Sequence, residues 1–88
     1  MPEPIQWIFN KPKDFRKQVS DLPHNLRPIL TNIMYQLSES KNPNILGKQK
    51  NTKYGTYHTI RLNDSYRLAY NTNFKTHEIE IIKVGPHD

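Results

Sequence analysis

Three β-prone runs near the end of this sequence constrain its fold more than any other feature. They cover residues 57–62, 66–71 and 78–84, and only short polar segments separate them. Consecutive strands with short connections usually pair antiparallel, as a meander. The last third of the chain therefore predicts a three-stranded antiparallel sheet.

Alternation along the first two runs assigns their faces, because neighbouring side chains of a strand point to opposite sides. Arg61 and Arg67 fall on the same side as Tyr57, and that side is polar. The opposite side is mostly apolar and carries His58, Ile60, Leu62, Tyr66, Leu68 and Tyr70. We expect helices to cover the apolar side and His58 to lie in the core. The uncovered side, with its two arginines, is then the candidate site.

Two helical patterns precede these strands. Phe15, Val19 and Leu22 recur at the spacing of one face of a short helix. A longer apolar stripe follows, made of Leu26, Ile29, Leu30, Ile33 and Leu37. Pro28 inside a helix would cost about 3 kcal/mol. The second helix should therefore begin near Asn25, which puts Pro28 in its first turn.

The remaining segments complete a single small domain over residues 1–88. Residues 5–9 are β-prone and predict a first strand, whereas residues 45–55 are polar and basic and predict a connection. The element order is then β-α-α-β-β-β. This is an α+β fold in which a helical hairpin packs on one face of a small antiparallel sheet.

Charge is the bulk property that bears most on function. Thirteen Lys and Arg against eight Asp and Glu give a net charge of +5. Such a charge suits a polyanionic partner, either nucleic acid or an acidic protein, although solubility alone accounts for it equally well. The chain has no cysteine, which excludes disulfides and thiolate metal sites. No spacing of His, Asp and Glu recommends a metal, so no cofactor is expected.

Location follows from what the sequence lacks. No apolar run approaches the roughly 20 residues that cross a bilayer. The first residues do not show the basic and then apolar regions of a signal peptide. We therefore expect a cytoplasmic protein without a membrane partner.

Several segments, taken in order, resemble the RelE/ParE toxin superfamily across roughly residues 12–88. They are Leu22-Pro23, Gly55-Thr56-Tyr57 leading into Ile60-Arg61-Leu62, Tyr66-Arg67-Leu68-Ala69-Tyr70, and Ile81 to His87. The resemblance implies a toxin encoded beside an antitoxin. RelE-type members cleave mRNA in the ribosomal A site, where a ribose 2′-hydroxyl attacks the adjacent phosphate. ParE-type members poison DNA gyrase and are not nucleases.

The resemblance also implies catalytic roles. Arg67 matches the family's phosphate-stabilising arginine, and Arg61 matches a second basic position. His87 stands where the family has a closing arginine, and an imidazole could act there as acid or base. Thr59 occupies the position of a lysine proposed as general base, and the tyrosine that often follows the closing arginine has no counterpart before Asp88. The general base is therefore unassigned.

A basic segment before the site strand is the candidate RNA-binding element. Lys48, Lys50 and Lys53 could follow a phosphate backbone, and Tyr54 and Tyr57 could stack on bases. The alternative is a solvated basic loop with no ligand.

Three functions remain open at this point. The first is a ribosome-dependent endoribonuclease, which acts on mRNA without a metal and is neutralised by a cognate antitoxin. The second is a poison of DNA gyrase with the same fold, and the missing lysine and tyrosine favour it. The third is a catalytically inactive homologue that binds the antitoxin.

Overall fold

The structure is a computed structural model that describes residues 7–86. In chain order its elements are β1 (Ile8–Asn10), α1 (Phe15–Ser20), a 3₁₀ turn (His24–Leu26), α2 (Arg27–Glu39), a second 3₁₀ turn (Pro43–Leu46), β2 (Lys48–Thr52), β3 (Gly55–Arg61), β4 (Tyr66–Asn73) and β5 (Glu78–Pro86). The strands form one sheet in the order β1-β5-β4-β3-β2. No helix within residues 7–86 is long and apolar enough to cross a membrane.

The predicted α+β class, with helices packed on one face of the sheet, is confirmed. Phe15 and Val19 of α1 pack against the same core as Leu30 and Leu37 of α2. The side-chain oxygen of Gln18 also accepts a hydrogen bond of 2.9 Å from a backbone N–H of β5, and this bond ties α1 to that strand.

The second helix begins close to the predicted position. A 3₁₀ turn precedes it, and Pro28 lies in the first turn of α2, where a missing N–H costs little. Leu26 and Leu30 are buried as expected, but Ile29 is 39% exposed and Met34 packs against the core instead. The buried stripe is therefore rotated slightly from the predicted one.

The face assignment of the central strands is also confirmed. Leu68 and Tyr70 of β4 are completely buried under the helices. His58 lies on this covered face and is 9% exposed, with its ring 5.7 Å from that of Tyr70. Its Nδ1 atom has no hydrogen-bond partner within the described part of the chain.

The sheet differs from the prediction at both edges. β1 pairs parallel with β5, with Ile8 opposite Glu78, so the sheet is mixed. The chain passes through both helices before it returns to the sheet, and such a crossover permits parallel pairing. The predicted first strand covered residues 5–9, of which 5 and 6 lie outside the described residues.

The opposite edge is a strand that the sequence did not predict. Residues 48–52 were expected to belong to a connection, but they pair antiparallel with β3, with Lys48 opposite Thr59 and Lys50 opposite Tyr57. No apolar residue occurs in this strand, so hydrophobic alternation gives no signal for it. The strand forms because its backbone N–H and C=O groups pair with those of β3. As an edge strand, it can carry polar and charged side chains only.

Candidate nucleic-acid interface

The sheet surface opposite the helices is built from side chains that strand pairing places side by side. One row pairs Lys50 with Tyr57, a second runs from Lys48 through Thr59 and Ala69 to Lys83, and a third runs from Arg61 through Arg67 to Gly85. We call this surface the basic face. It carries five cationic side chains on four strands.

Lys83 joins the basic face through a β-bulge that the sequence analysis missed. Ala69 pairs with Lys83 but Tyr70 pairs with Ile81, so Ile82 is an extra residue in β5. In a regular strand without this bulge, Lys83 would point with Ile81 into the core, where an unpaired ammonium is very costly. A lysine inside a run of aliphatic residues was the available signal for a bulge.

The side chains of the basic face line two adjoining open grooves. One, of about 350 Å³, is lined by Lys50, Tyr57, Thr59, Arg67, Ala69, Lys83, Gly85 and Pro86. The other, of about 340 Å³, is lined by Leu46, Gly47, Lys48, Lys50, Thr59, Ile60, Arg61 and Arg67. Lys50, Thr59 and Arg67 line both grooves and therefore mark their shared centre.

Positive charge accumulates at this centre. The ammonium group of Lys48 lowers the pKa of Lys50, partial burial lowers it further, and Arg67 and Arg61 add to the effect. The Nε atom of Arg67 is buried and has no hydrogen-bond partner among residues 7–86. A guanidinium group beside other cations, with an N–H donor that has no partner, can bind an anion that offers several oxygen acceptors.

Three solved structures with a similar architecture are of RelE toxins or of RelE toxins bound to their antitoxins. The chain is similar to the toxin–antitoxin complex RelBE2 from Mycobacterium tuberculosis, with a TM-score of 0.75 and 18% identity over 94% of this chain and 100% of that one. The chain has the RelE toxin fold. It also resembles the archaeal RelE–RelB complex from Pyrococcus horikoshii OT3, with a TM-score of 0.72 and 21% identity over 92% of this chain and 94% of that one.

A third RelE structure agrees with these two. It is a double arginine-to-alanine mutant of E. coli toxin RelE in the free state, with a TM-score of 0.68 and 20% identity over 91% of this chain and 82% of that one. No protein-family model matches the sequence, and no curated protein matches it either. The likeness to RelE is therefore one of fold.

Within this RelE fold, the structure brings together only some of the predicted site residues. Tyr57 is half-buried and lines one groove together with Arg67, and Arg61 lines the other groove together with Arg67. Lys53 and Tyr54 instead occupy the turn between β2 and β3. Tyr54 is 88% exposed, with the Lys53 ammonium 5.2 Å from the centre of its ring. His87 lies outside the described residues.

A buried tyrosine fixes the start of β2 and so positions the lysines of the basic face. The Tyr70 hydroxyl donates a 2.6 Å hydrogen bond to the carbonyl oxygen of Pro43. Burial raises the pKa of Tyr70 to about 12, and a backbone hydrogen bond from Gly47 opposes this rise. A Cβ atom on Gly47 would lie 2.5 Å from the phenol oxygen. Only glycine therefore lets the chain approach so closely before it continues into Lys48 and Lys50.

Metal ligands are not grouped in this fold. Within residues 7–86, no three His, Cys, Asp or Glu side chains lie close enough to hold a metal ion together.

Proposed function

We propose that this chain is the toxin of a type II toxin–antitoxin pair and cleaves mRNA on the ribosome in the cytoplasm. The observation that carries the proposal is the uncovered basic groove of a RelE fold, with Arg67 at its centre. An mRNA backbone is a polyanion, and its affinity for such a groove grows with the number of phosphates that lysine and arginine neutralise.

The two arginines suit the phosphate that is cut. Arg61 and Arg67 lie directly opposite each other on β3 and β4. Like charges in this position destabilise a sheet, so the fold carries a cost that a bound phosphate relieves. During attack by the 2′-hydroxyl, negative charge builds on the phosphate oxygens, and planar guanidinium groups stabilise that charge with paired hydrogen bonds.

The remaining predicted residues take supporting roles in this proposal. Tyr57 lines the groove and can stack on a base, a contact worth about 1–3 kcal/mol. Lys53 and Tyr54 extend the RNA contact to the tip of the β2–β3 hairpin. His87 is retained as the proton donor to the leaving oxygen.

A protein partner is also part of the proposal. Two of the similar solved structures are complexes of RelE toxins with their antitoxins. This chain has a net charge of +5 and an uncovered basic face, so an acidic antitoxin segment that folds on binding would be complementary to it. Coverage of the basic face would block access of mRNA.

One observation favours a second candidate, a poison of DNA gyrase. Thr59 lies at the shared centre of both grooves, and a threonine does not accept a proton near neutral pH. A toxin without a base would bind its target but would not cut RNA. An inactive homologue that binds only the antitoxin would share this feature.

Induced expression in bacteria separates these functions. The nuclease proposal predicts arrested growth and new 5′ ends within the translated parts of cellular mRNAs, both lost in Arg67→Ala. Lys75→Arg, a change in the β4–β5 loop outside the basic face, should remain toxic. Toxicity with intact mRNA and inhibited supercoiling by purified gyrase would replace the nuclease with the gyrase poison. Absence of toxicity would reject both toxins.

A further inference from the structure

At the centre of the basic face, β3 contributes a threonine and the neighbouring strand β2 contributes a lysine. Thr59 occupies the middle row, between Lys48 and Ala69. Lys50 lines both grooves together with Thr59 and Arg67. Lys50 therefore lies beside Thr59 and Arg67 where the two grooves meet, and it is close enough to both arginines for their charges to act on its amine.

Lys50 differs in setting from the other two lysines of the basic face. Lys48 and Lys83 are exposed, whereas Lys50 is partly buried. Of these three lysines, Lys50 alone lines both grooves. It is therefore the lysine best placed to contact an RNA strand that lies across the shared centre with a phosphate at the two arginines.

The charges around Lys50 favour its neutral form. It faces Lys48 from its own strand, Tyr57 and Arg61 from β3, Arg67 from β4 and Lys83 from β5. None of these groups is a carboxylate. The cations, Lys48 first, and partial burial lower the pKa of Lys50. More of the amine is then unprotonated at neutral pH than for an isolated lysine, and only the unprotonated amine can accept a proton.

We propose that Lys50 is the general base, which takes the proton from the ribose 2′-hydroxyl next to the phosphate held by Arg61 and Arg67. This inference rests on the proposed nuclease function. The freed 2′-oxygen forms a bond to phosphorus, and the bond from phosphorus to the 5′-oxygen breaks. The products are a 2′,3′-cyclic phosphate and a 5′-hydroxyl.

The proton balance closes without a further reactant. The leaving 5′-oxygen takes a proton from the general acid of the proposed function, and solvent water carries the proton that Lys50 has gained back to that acid. The amine is thereby restored and no net charge is produced.

The test is single-turnover cleavage of mRNA on purified ribosomes by Lys50→Arg. Arginine keeps the positive charge but cannot be deprotonated in this pH range. We expect cleavage to slow by about 100-fold or more, as for loss of a general base. Binding to ribosomes that carry mRNA with a 2′-deoxy nucleotide at the cut position should be unchanged. Lys75→Arg is the matched control, and circular dichroism verifies folding.

Two further measurements separate catalysis from structure. Lys48→Gln removes the largest influence on Lys50, so the rise of the cleavage rate with pH should move to higher pH. The chain has no cysteine, so a Lys50→Cys variant can be aminoethylated at that position alone. Aminoethylation restores an amine at nearly the same place and should restore cleavage.

The possible failures can be told apart. If the wild-type protein cuts no mRNA on ribosomes, the proposed function fails, and the role of Lys50 fails with it. If the wild-type protein cuts and Lys50→Arg cuts equally fast, the nuclease stands and Lys50 is not the base. Slow cleavage that aminoethylation does not restore, with an unchanged pH profile in Lys48→Gln, would also overturn the role of Lys50.

Discussion

Gly47→Ala should destabilise this fold, because the added methyl group collides with the buried Tyr70. The new Cβ would lie 2.5 Å from the phenol oxygen and 3.0 Å from the ring carbon Cε1. It would also lie 3.1 Å from the carbonyl oxygen of Thr59. The phenol of Tyr70 is held by its 2.6 Å hydrogen bond to the carbonyl oxygen of Pro43, so it cannot easily move away from the added methyl group.

The magnitude follows from three contributions. Overpacking of a filled core costs about 1–3 kcal/mol. A weakened hydrogen bond from Tyr70 to Pro43 adds about 1 kcal/mol. Replacement of glycine by alanine also reduces the conformational entropy of the unfolded chain, which stabilises the folded state by about 0.4–1 kcal/mol. The free energy of unfolding should therefore fall by about 2 kcal/mol, which lowers the Tm of a chain this short by about 8–16 °C.

Thermal unfolding followed by circular dichroism measures this change, and Gly85→Ala is the matched control. A Cβ atom on Gly85 would meet only the flexible end of Lys83, at 3.4 Å. Gly85→Ala should therefore change the free energy of unfolding by about 0.5 kcal/mol or less. Equal stability of Gly47→Ala and the wild-type protein would refute the close packing of Gly47 on Tyr70.

The other predictions concern the same core and the basic face. Tyr70→Phe leaves the carbonyl of Pro43 without its buried donor and should lower the free energy of unfolding by about 1–3 kcal/mol in urea titrations. Burial raises the pKa of Tyr70 to about 12 from 10.0. Its stabilising contribution is therefore complete below pH 10 and is lost as pH rises towards 12, and the urea midpoint should fall over this range less in Tyr70→Phe than in the wild-type protein. Trp7→Phe removes the 2.7 Å bond from Nε1 to the Ser40 carbonyl oxygen and should lower the Tm; an unchanged Tm would contradict a structural role for this bond. If the proposed function holds, Lys83→Ala should leave the Tm within a few degrees but weaken binding of the protein to ribosomes and reduce the salt dependence of that binding; unchanged binding would remove Lys83 from the interface.

The sequence predicted those parts of the fold whose signal is hydrophobic periodicity. Alternation in β3 and β4 placed Arg61 and Arg67 together because Ile60, Leu62 and Leu68 must be buried. Pro28 located the first turn of α2, because proline is costly anywhere later in a helix. In both cases the wrong arrangement would cost about 3 kcal/mol or more, because it would bury arginine side chains or place proline inside a helix.

The features that escaped prediction depend on pairing rather than on burial. β2 contains no apolar residue and becomes a strand only because β3 lies beside it. The bulge at Ile82 reverses the alternation of β5 and turns Lys83 outwards, and simple alternation gives the opposite face. Both features bear on the proposed function, because β2 supplies Lys48 and Lys50 to the basic face and the bulge adds Lys83 to it. The centre of the site is therefore assembled from segments that a pattern of single strands cannot identify.

The most direct test of the proposed function is translation of a defined mRNA with purified components, followed by primer extension. If the nuclease proposal is right, we expect discrete cuts by the wild-type protein when ribosomes are present, none in a ribosome-free control, and none with folded Arg67→Ala. Intact mRNA with the wild-type protein in excess over ribosomes would contradict it. Cuts of equal strength by Arg67→Ala would place the chemistry elsewhere than on the basic face.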